Sequence, residues 1–214
     1  MSPVDLHVRL SHPNNDAESS AILEQARRLG LTGLGIESPQ PLPARLIPRN
    51  MELLYRITLN PHSAARLRHR VEKQKQQTDL VVVQGRTKPI ALSAAKIPEV
   101  DMVLMKTVED YTIVDSQVAR AMTKHNKPVE LCLHGLLALK GSARSRLMRV
   151  MAQAMESLLR AQSPLVLTSG AENLWQLRTP RDLGALAYLA NIPEATANRA
   201  VLETSIEFFT RRKP

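Results

Sequence analysis

The amino-acid sequence predicts a single-domain TIM-like α/β barrel with at least seven parallel strands and one degenerate crossover helix. Three observations predict it. Short apolar runs alternate with amphipathic stretches along the chain, the pattern of repeated βα units around a parallel sheet. The 214 residues, 43% of them hydrophobic, can bury one substantial core, so one domain over residues 1–214 with a short basic tail accounts for the length. Finally, the segment Leu165-Val-Leu-Thr-Ser-Gly-Ala-Glu-Asn-Leu-Trp-Gln-Leu-Arg-Thr-Pro-Arg-Asp182 holds one complete unit. Its apolar run is broken by Ser169-Gly170-Ala171, and Thr179, Pro180 and Asp182 supply a capping hydroxyl, a first-turn proline and a carboxylate three residues on. A helix is therefore expected to begin at Pro180.

Taken in order, residues 4–8 read as the first strand and residues 16–29 as a helix. Asp16 and Glu18 lie in its first turn, where the macrodipole favours carboxylates. Gly30 ends that helix and residues 32–37 form the second strand. Residues 38–48 carry four prolines and cannot hold a regular crossover helix, so a loop or a degenerate helix replaces it. The third strand covers 53–59, and Asn60-Pro61 opens a helix to about 77. The fourth strand covers 80–84, a short helix 89–96 and the fifth strand 102–105. Residues 114–125 are helical, 128–133 form the sixth strand, and 142–161 form a long helix with Leu147, Met151, Met155 and Leu158 on one stripe. The seventh strand is 165–168, followed by helices at about 180–190 and 193–209 and the tail Arg211-Arg-Lys-Pro214. No eighth strand stands out.

The charge limits the partners. With 29 Lys and Arg against 20 Asp and Glu, the chain carries +9 and a pI near 10.1, which points to an anionic partner. Most of the excess lies in the middle, with nine basic and four acidic residues in 51–100 and eight against five in 101–150. Aromatic residues are only 3%, so contacts to an RNA should fall mainly on phosphates and shape. One cysteine, Cys132, excludes a disulfide framework and suits a reducing cytoplasm. No leader pattern and no apolar run long enough for a membrane span is visible, so a cytoplasmic protein that meets no membrane is expected.

In a parallel barrel the loops that follow the strands share one face, where function gathers. Those positions hold Arg9 after the first strand, Arg86 and Lys88 after the fourth, and Lys106 after the fifth. Lys140, Arg144 and Arg146 follow the sixth, and Arg178 and Arg181 the seventh. Arg144 and Arg146 sit near a helix N-terminus, where the dipole disfavours cations and a bound phosphate would relieve the conflict. Surface arginines are common and each contributes little alone, so it is their recurrence on one face that marks an anion site. The helix after Asn60-Pro61 adds Arg66, Arg70 and Lys73 on one stripe, which reads first as a solvated outer face.

Enzyme signals are weaker. Asp5-Leu-His7 opens like the first strand of the metal-dependent phosphoesterases of the polymerase and histidinol phosphatase superfamily, whose metal site begins with two histidines one residue apart. The second position here is Arg9, a cation that repels a divalent metal, so no metal site is expected even with His7, His12 and His134 near strand ends. Cys132 reads as a buried structural thiol. Gly33-Leu-Gly35 lacks the third glycine and lies inside a strand, a weak dinucleotide signal.

The strand openings Asp5-Leu-His-Val8, Asp79-Leu-Val-Val-Val83 and Asp101-Met-Val-Leu104 belong to a wider pattern. With Leu136-Leu137, Ala143-Arg-Ser-Arg146, Thr168-Ser-Gly-Ala171 and Arg178-Thr-Pro-Arg-Asp182, they resemble the archaeal ribonuclease P protein component 3 family. The resemblance covers nearly the whole chain, and the small-residue turn followed by the Arg-x-Pro-x-Asp helix start is its most specific part. It implies a barrel related to the phosphoesterases but without their metal ligands, and a noncatalytic RNA-binding subunit of the enzyme that removes the 5′ leader of precursor tRNA. It implies further that the partners are the ribonuclease P RNA, a second small protein subunit and, through the complex, precursor tRNA. No cofactor is then bound by this chain, since the catalytic Mg²⁺ belongs to the RNA. A metal-dependent phosphoesterase is the alternative. The segment 38–48 and Leu133-His134-Gly135 depart from the family's pattern.

Overall fold

A computed structural model describes residues 3–10 and 15–211. Within them seven strands run in sequence order, every neighbouring pair parallel: β1 (Val4–Arg9), β2 (Gly33–Glu37), β3 (Glu52–Leu59), β4 (Leu80–Gln84), β5 (Met102–Met105), β6 (Val129–Cys132) and β7 (Leu165–Thr168). Most are four to six residues of buried Val, Leu, Ile and Met, as a sheet covered on both faces requires. The helices are α1 (Asp16–Arg28), α2 (Leu67–Lys75), α3 (Lys88–Lys96), α4 (Val108–Thr112), α5 (Ser116–Lys124), α6 (His134–Ala138), α7 (Gly141–Arg160), α8 (Pro180–Leu189), α9 (Glu194–Asn198) and α10 (Ser205–Arg211). The expected TIM-like barrel is observed.

The sheet closes on itself at one end. Arg9 N–H donates to the Ala171 carbonyl at 2.8 Å, Val8 bridges Ala171 in parallel, and Ser169 N–H donates to Asp5 Oδ1 at 3.3 Å. Gly170 makes this seam possible, since its φ is +61° and a Cβ there would collide with Cys132 Sγ. At the opposite end the gap between β7 and β1 is filled by the C-terminal helical run, in which Arg199–Thr204 is π-helical between α9 and α10. Phe209, flanked by Ile206 and Phe208, packs with Val4, Leu6, Leu54, Leu80, Met102 and Val166 in the barrel interior. A Cβ on Gly33 would lie 2.8 Å from the Phe209 ring. An eighth strand is absent among the described residues, and a helix stands in its place.

Several boundaries differ from expectation for local reasons. The helix expected from residue 61 begins only at Leu67, because Pro61 and Ala64 first turn inward against the core and Arg66 offers no side-chain cap. The helix expected over 114–125 starts at Ser116, where the Asp115 carboxylate accepts from the Gln117 and Val118 N–H groups. Ahead of it lies the unpredicted α4, closed by a Thr107/Asp110 capping box. Residues 38–48 hold a single 3₁₀ turn, Ala44–Leu46, in line with the expected degenerate crossover. No helix among the described residues is long and apolar enough to cross a membrane. His12 and residues 212–214 of the basic tail lie outside the described residues.

If α10 closes the barrel, Phe209→Ala removes a buried aromatic ring from that end. Such a truncation costs about 3 kcal/mol or more, and about 6 °C or more of melting temperature in a domain of this size. Thermal unfolding followed by circular dichroism measures it, and an unchanged midpoint would place α10 outside the core.

Candidate nucleic-acid interface

Below the closed end of the barrel lies an ionic cluster that the sequence reading missed. Arg56 on β3 is 2% exposed and Glu130 on β6 is fully buried. The guanidinium donates to both carboxylate oxygens at 3.0 Å, and through Nη1 to the Leu6 carbonyl at 2.6 Å. Thr168 Oγ1 donates to Glu130 Oε1 at 2.8 Å, and Thr58 Oγ1 donates to Glu37 Oε2 at 2.6 Å. His7 completes the cluster, with Nδ1 2.7 Å from Glu130 and Nε2 3.5 Å from Glu37. A register shift in β1 between Asp5 and Val8 permits this. The extra residue lets both Leu6 and His7 face the interior, and Gly35, with no Cβ to strike the Leu6 carbonyl, leaves room for the bulge.

Burial and the Arg56 guanidinium both oppose a charge on His7, yet Glu130, aided by a Cys132 hydrogen bond, raises its pKa to about 10. Burial pushes the two glutamates up, but the opposed cations prevail. Glu37 is held at about 2, by His7 first and then Arg56, and Glu130 well below the usual carboxylate range, by Arg56 first and then His7. A histidine whose two ring nitrogens face carboxylates and which stays protonated has no lone pair for a metal. Among the described residues no group of three or more His, Cys, Asp or Glu could hold a metal ion. Cys132 is fully buried. His134, whose Nδ1 has no partner, has its pKa lowered by burial and by Lys106.

Around this interior the nine predicted cations fall into three groups. Arg9, Lys106 and Lys88 are ion-paired. Glu172 sits 3.7 Å from Arg9 and 3.3 Å from Lys106, and Lys88 pairs with Asp115. Arg86, Arg144 and Arg178 hold neutral acceptors: Arg86 the Asn60 side chain at 3.2 Å, Arg144 the Leu139 carbonyl at 2.6 Å, and Arg178 the Trp175 and Leu177 carbonyls at 2.6 and 2.7 Å. The side chains of Lys140, Arg146 and Arg181 make no hydrogen bond or ion pair among the described residues. Lys106 and Arg146 line one cavity of about 610 Å³ together with His134 and Ser142, at the start of α7. That 20-residue helix has no side-chain cap and no acidic residue in its first turn. Arg146 and Arg86 also converge on Glu109, whose carboxyl is lowered by hydrogen bonds with its own N–H and Thr107 and further by these two cations. Arg66, which precedes α2, and Arg70 and Lys73 on it are exposed, whereas Lys75 is drawn off to Asp101 at 3.0 Å.

The loop after β7 follows its sequence closely. Thr179 Oγ1 accepts from Asp182 N–H at 3.1 Å and Asp182 returns the bond, so α8 begins at Pro180 as expected. Arg178 does not pair with Asp182, because that carboxylate is committed to the cap.

A family model described as RNase P subunit p30 matches residues 2–213. The chain belongs to that family. Among relatives, ribonuclease P protein component 3 of Methanosarcina barkeri is 22% identical over 207 residues, covering 94% of this chain and 87% of the relative. The Methanocaldococcus jannaschii protein of that name is 24% identical over 152 residues, covering 70% and 64%. In fold, a chain from the cryo-EM structure of archaeal ribonuclease P with mature tRNA aligns with a TM-score of 0.78 at 18% identity, covering 98% of this chain and 90% of that one. The ochratoxinase of A. niger aligns at 0.66 and 11% identity, covering 97% and 71%. The family resemblance read from the small-residue turn and the Arg178–Asp182 helix start therefore holds.

Glu130→Gln strips the anion from two buried cations, and breaking such a pair costs about 3 to 5 kcal/mol. The linked titrations have opposite signs. The raised His7 contributes stability that is full below its ordinary value of 6.5 and is lost as pH rises through about 10. The lowered Glu37 contributes stability present above its ordinary 4.5 and lost as pH falls through about 2. Melting temperature plotted against pH should thus plateau between these ordinary values, and His7→Gln should flatten its alkaline limb. An alkaline limb identical in the variant would remove His7 from the linkage.

Proposed function

We propose that this chain is a noncatalytic, RNA-binding protein subunit of ribonuclease P, supporting the RNA subunit as it removes the 5′ leader of precursor tRNA. The observation that carries the reading is a rim of cations, three of whose side chains have no hydrogen bond or ion pair among the described residues, above an interior in which Arg56, Glu130, His7 and Glu37 are paired with one another. A phosphate backbone is what such a rim lacks. Membership of the RNase P subunit p30 family supports the same assignment. The partners are the ribonuclease P RNA, a second small protein subunit and, through the complex, precursor tRNA. Mg²⁺ remains with the RNA, and the cations of this chain lower the ionic cost of folding that RNA around it.

Reconstitution of precursor tRNA cleavage with and without the chain tests the assignment directly. The geometry refines which cations matter. Lys140→Ala, Arg146→Ala and Arg181→Ala combined should make the slope of log affinity against log salt shallower by roughly 2 to 3, at about 0.7 to 0.9 per phosphate contact. Arg9→Ala, whose side chain is held by Glu172, should change it less. A slope unchanged in the triple variant would place these residues outside the RNA interface.

The isolated chain should release no phosphate from a generic phosphomonoester with added Mn²⁺. Sustained release abolished by His7→Ala would restore the metal-dependent phosphoesterase reading.

A further inference from the structure

Trp175 is the only tryptophan in the chain and is 79% exposed, the most exposed of the large hydrophobic residues described. It is nevertheless firmly based. Leu174, the first residue of its 3₁₀ turn (Leu174–Gln176), and Leu177, which follows the turn, pack into the cluster around α1 and β2. Asn173 Oδ1 accepts from Trp175 N–H at 3.1 Å, Gln176 Oε1 accepts from Glu172 N–H at 2.8 Å, and Arg178 ties down the Trp175 carbonyl. The backbone beneath the indole is thus held while the ring itself packs on little.

The surroundings decide what such a ring would meet. Both carboxylates of the segment are used internally, Glu172 by Arg9 and Lys106, and Asp182 by the α8 cap. What this loop turns outward is an aromatic face with Arg178 three residues on and the unpartnered Arg181 six residues on. The other large exposed apolar residues do not join it. Tyr188 and Leu189 lie at the far end of α8, about 12 Å from its start at 1.5 Å per residue, and Leu202 is in the C-terminal run. A protein hot spot needs a surrounding collar of contacts that exclude water, whereas the contact shown beside this residue is the Arg178 guanidinium on its carbonyl. A flat π surface beside positive charge is complementary to a nucleotide, with its base on the ring and its phosphate on the arginine.

We propose that Trp175 is a stacking platform for an unpaired nucleobase of the RNA, with Arg181 receiving an adjacent phosphate. This rests on the RNA-binding reading above and adds to it a base contact where only phosphate contacts were expected. The platform carries little sequence preference, since every base presents a π face.

Because the tryptophan is unique, its own fluorescence reports the event. The full chain is titrated with a single-stranded oligouridylate of about eight nucleotides and with an abasic oligomer of the same length and charge. Affinity is followed by anisotropy of a labelled end. Stacking predicts quenching by the base-bearing oligomer and little by the abasic one. Trp175→Ala should weaken the oligouridylate by roughly 5- to 100-fold, down to the abasic level. Trp175→Phe should retain most of the affinity, and Arg181→Ala should weaken both oligomers. If Trp175→Ala binds both like the parent while Arg181→Ala weakens both, the RNA face stands and the platform fails. If neither oligomer binds, both readings fall. If Trp175→Ala leaves RNA binding intact but disrupts association with the second protein subunit, the ring is a protein anchor and the proposal is overturned.

Discussion

The buried ion pair between Arg56 and Glu130, closed by His7, is the constraint on which the functional end of the barrel depends. It draws side chains from β1, β2, β3, β6 and β7 into one network, so it ties together the strands on either side of the barrel's seam. Charges removed from water must be matched and hydrogen-bonded or they destabilise the fold. Here Glu130 accepts from Arg56, His7 and Thr168, and Glu37 from Thr58, so the carboxylates are well supplied. The bulge at Leu6 and His7, the glycine at 35 and the inward-facing hydroxyls of Thr58 and Thr168 are each explained by this one requirement. The same network engages both ring nitrogens of His7, which lie against the carboxylates of Glu130 and Glu37.

Along the barrel axis the molecule divides its tasks. The lower interior is apolar and sealed by Phe209 from the C-terminal helix, the upper interior is ionic and internally paired, and the rim is cationic. Placing a helix in the eighth position has a consequence for this division. Among the described residues the upper seam is closed by the backbone bond from Arg9 N–H to the Ala171 carbonyl and by the bond from Ser169 N–H to the Asp5 carboxylate, both made by the Ser169-Gly170-Ala171 turn that leads into the Trp175 loop. The loop with the exposed aromatic ring therefore starts from one of the most constrained points in the fold.

The rim shows why a net charge of +9 is a poor guide to binding residues. Six of the nine cations nominated from sequence already have a protein partner, and a cation held by a carboxylate must give up that contact, or share it, to meet a phosphate. Glu172 alone occupies two of them. Lys140, Arg146 and Arg181 are different because their side chains make no hydrogen bond or ion pair among the described residues, although Arg146 still acts on Glu109 at longer range.

The sequence by itself determined the order of strands and helices, because apolar runs and amphipathic stretches alternate with a period that only a βα repeat satisfies. It also determined the α8 start, since Thr179, Pro180 and Asp182 form a capping device within four residues. Family membership was legible in the same stretch. The short helices α4 and α6 were not read, being single turns that periodicity does not resolve, although Thr107 and Asp110 carried a capping signature. Arg56 and Glu130 were invisible as a pair, because 74 residues separate them and each looks like an isolated charge in an apolar strand. Whether a given arginine is free or engaged was equally hidden, since its partner is chosen by loops that meet only when the barrel closes. Tertiary structure alone decided these points, for ion pairing and exposure depend on distances in space that linear order does not carry.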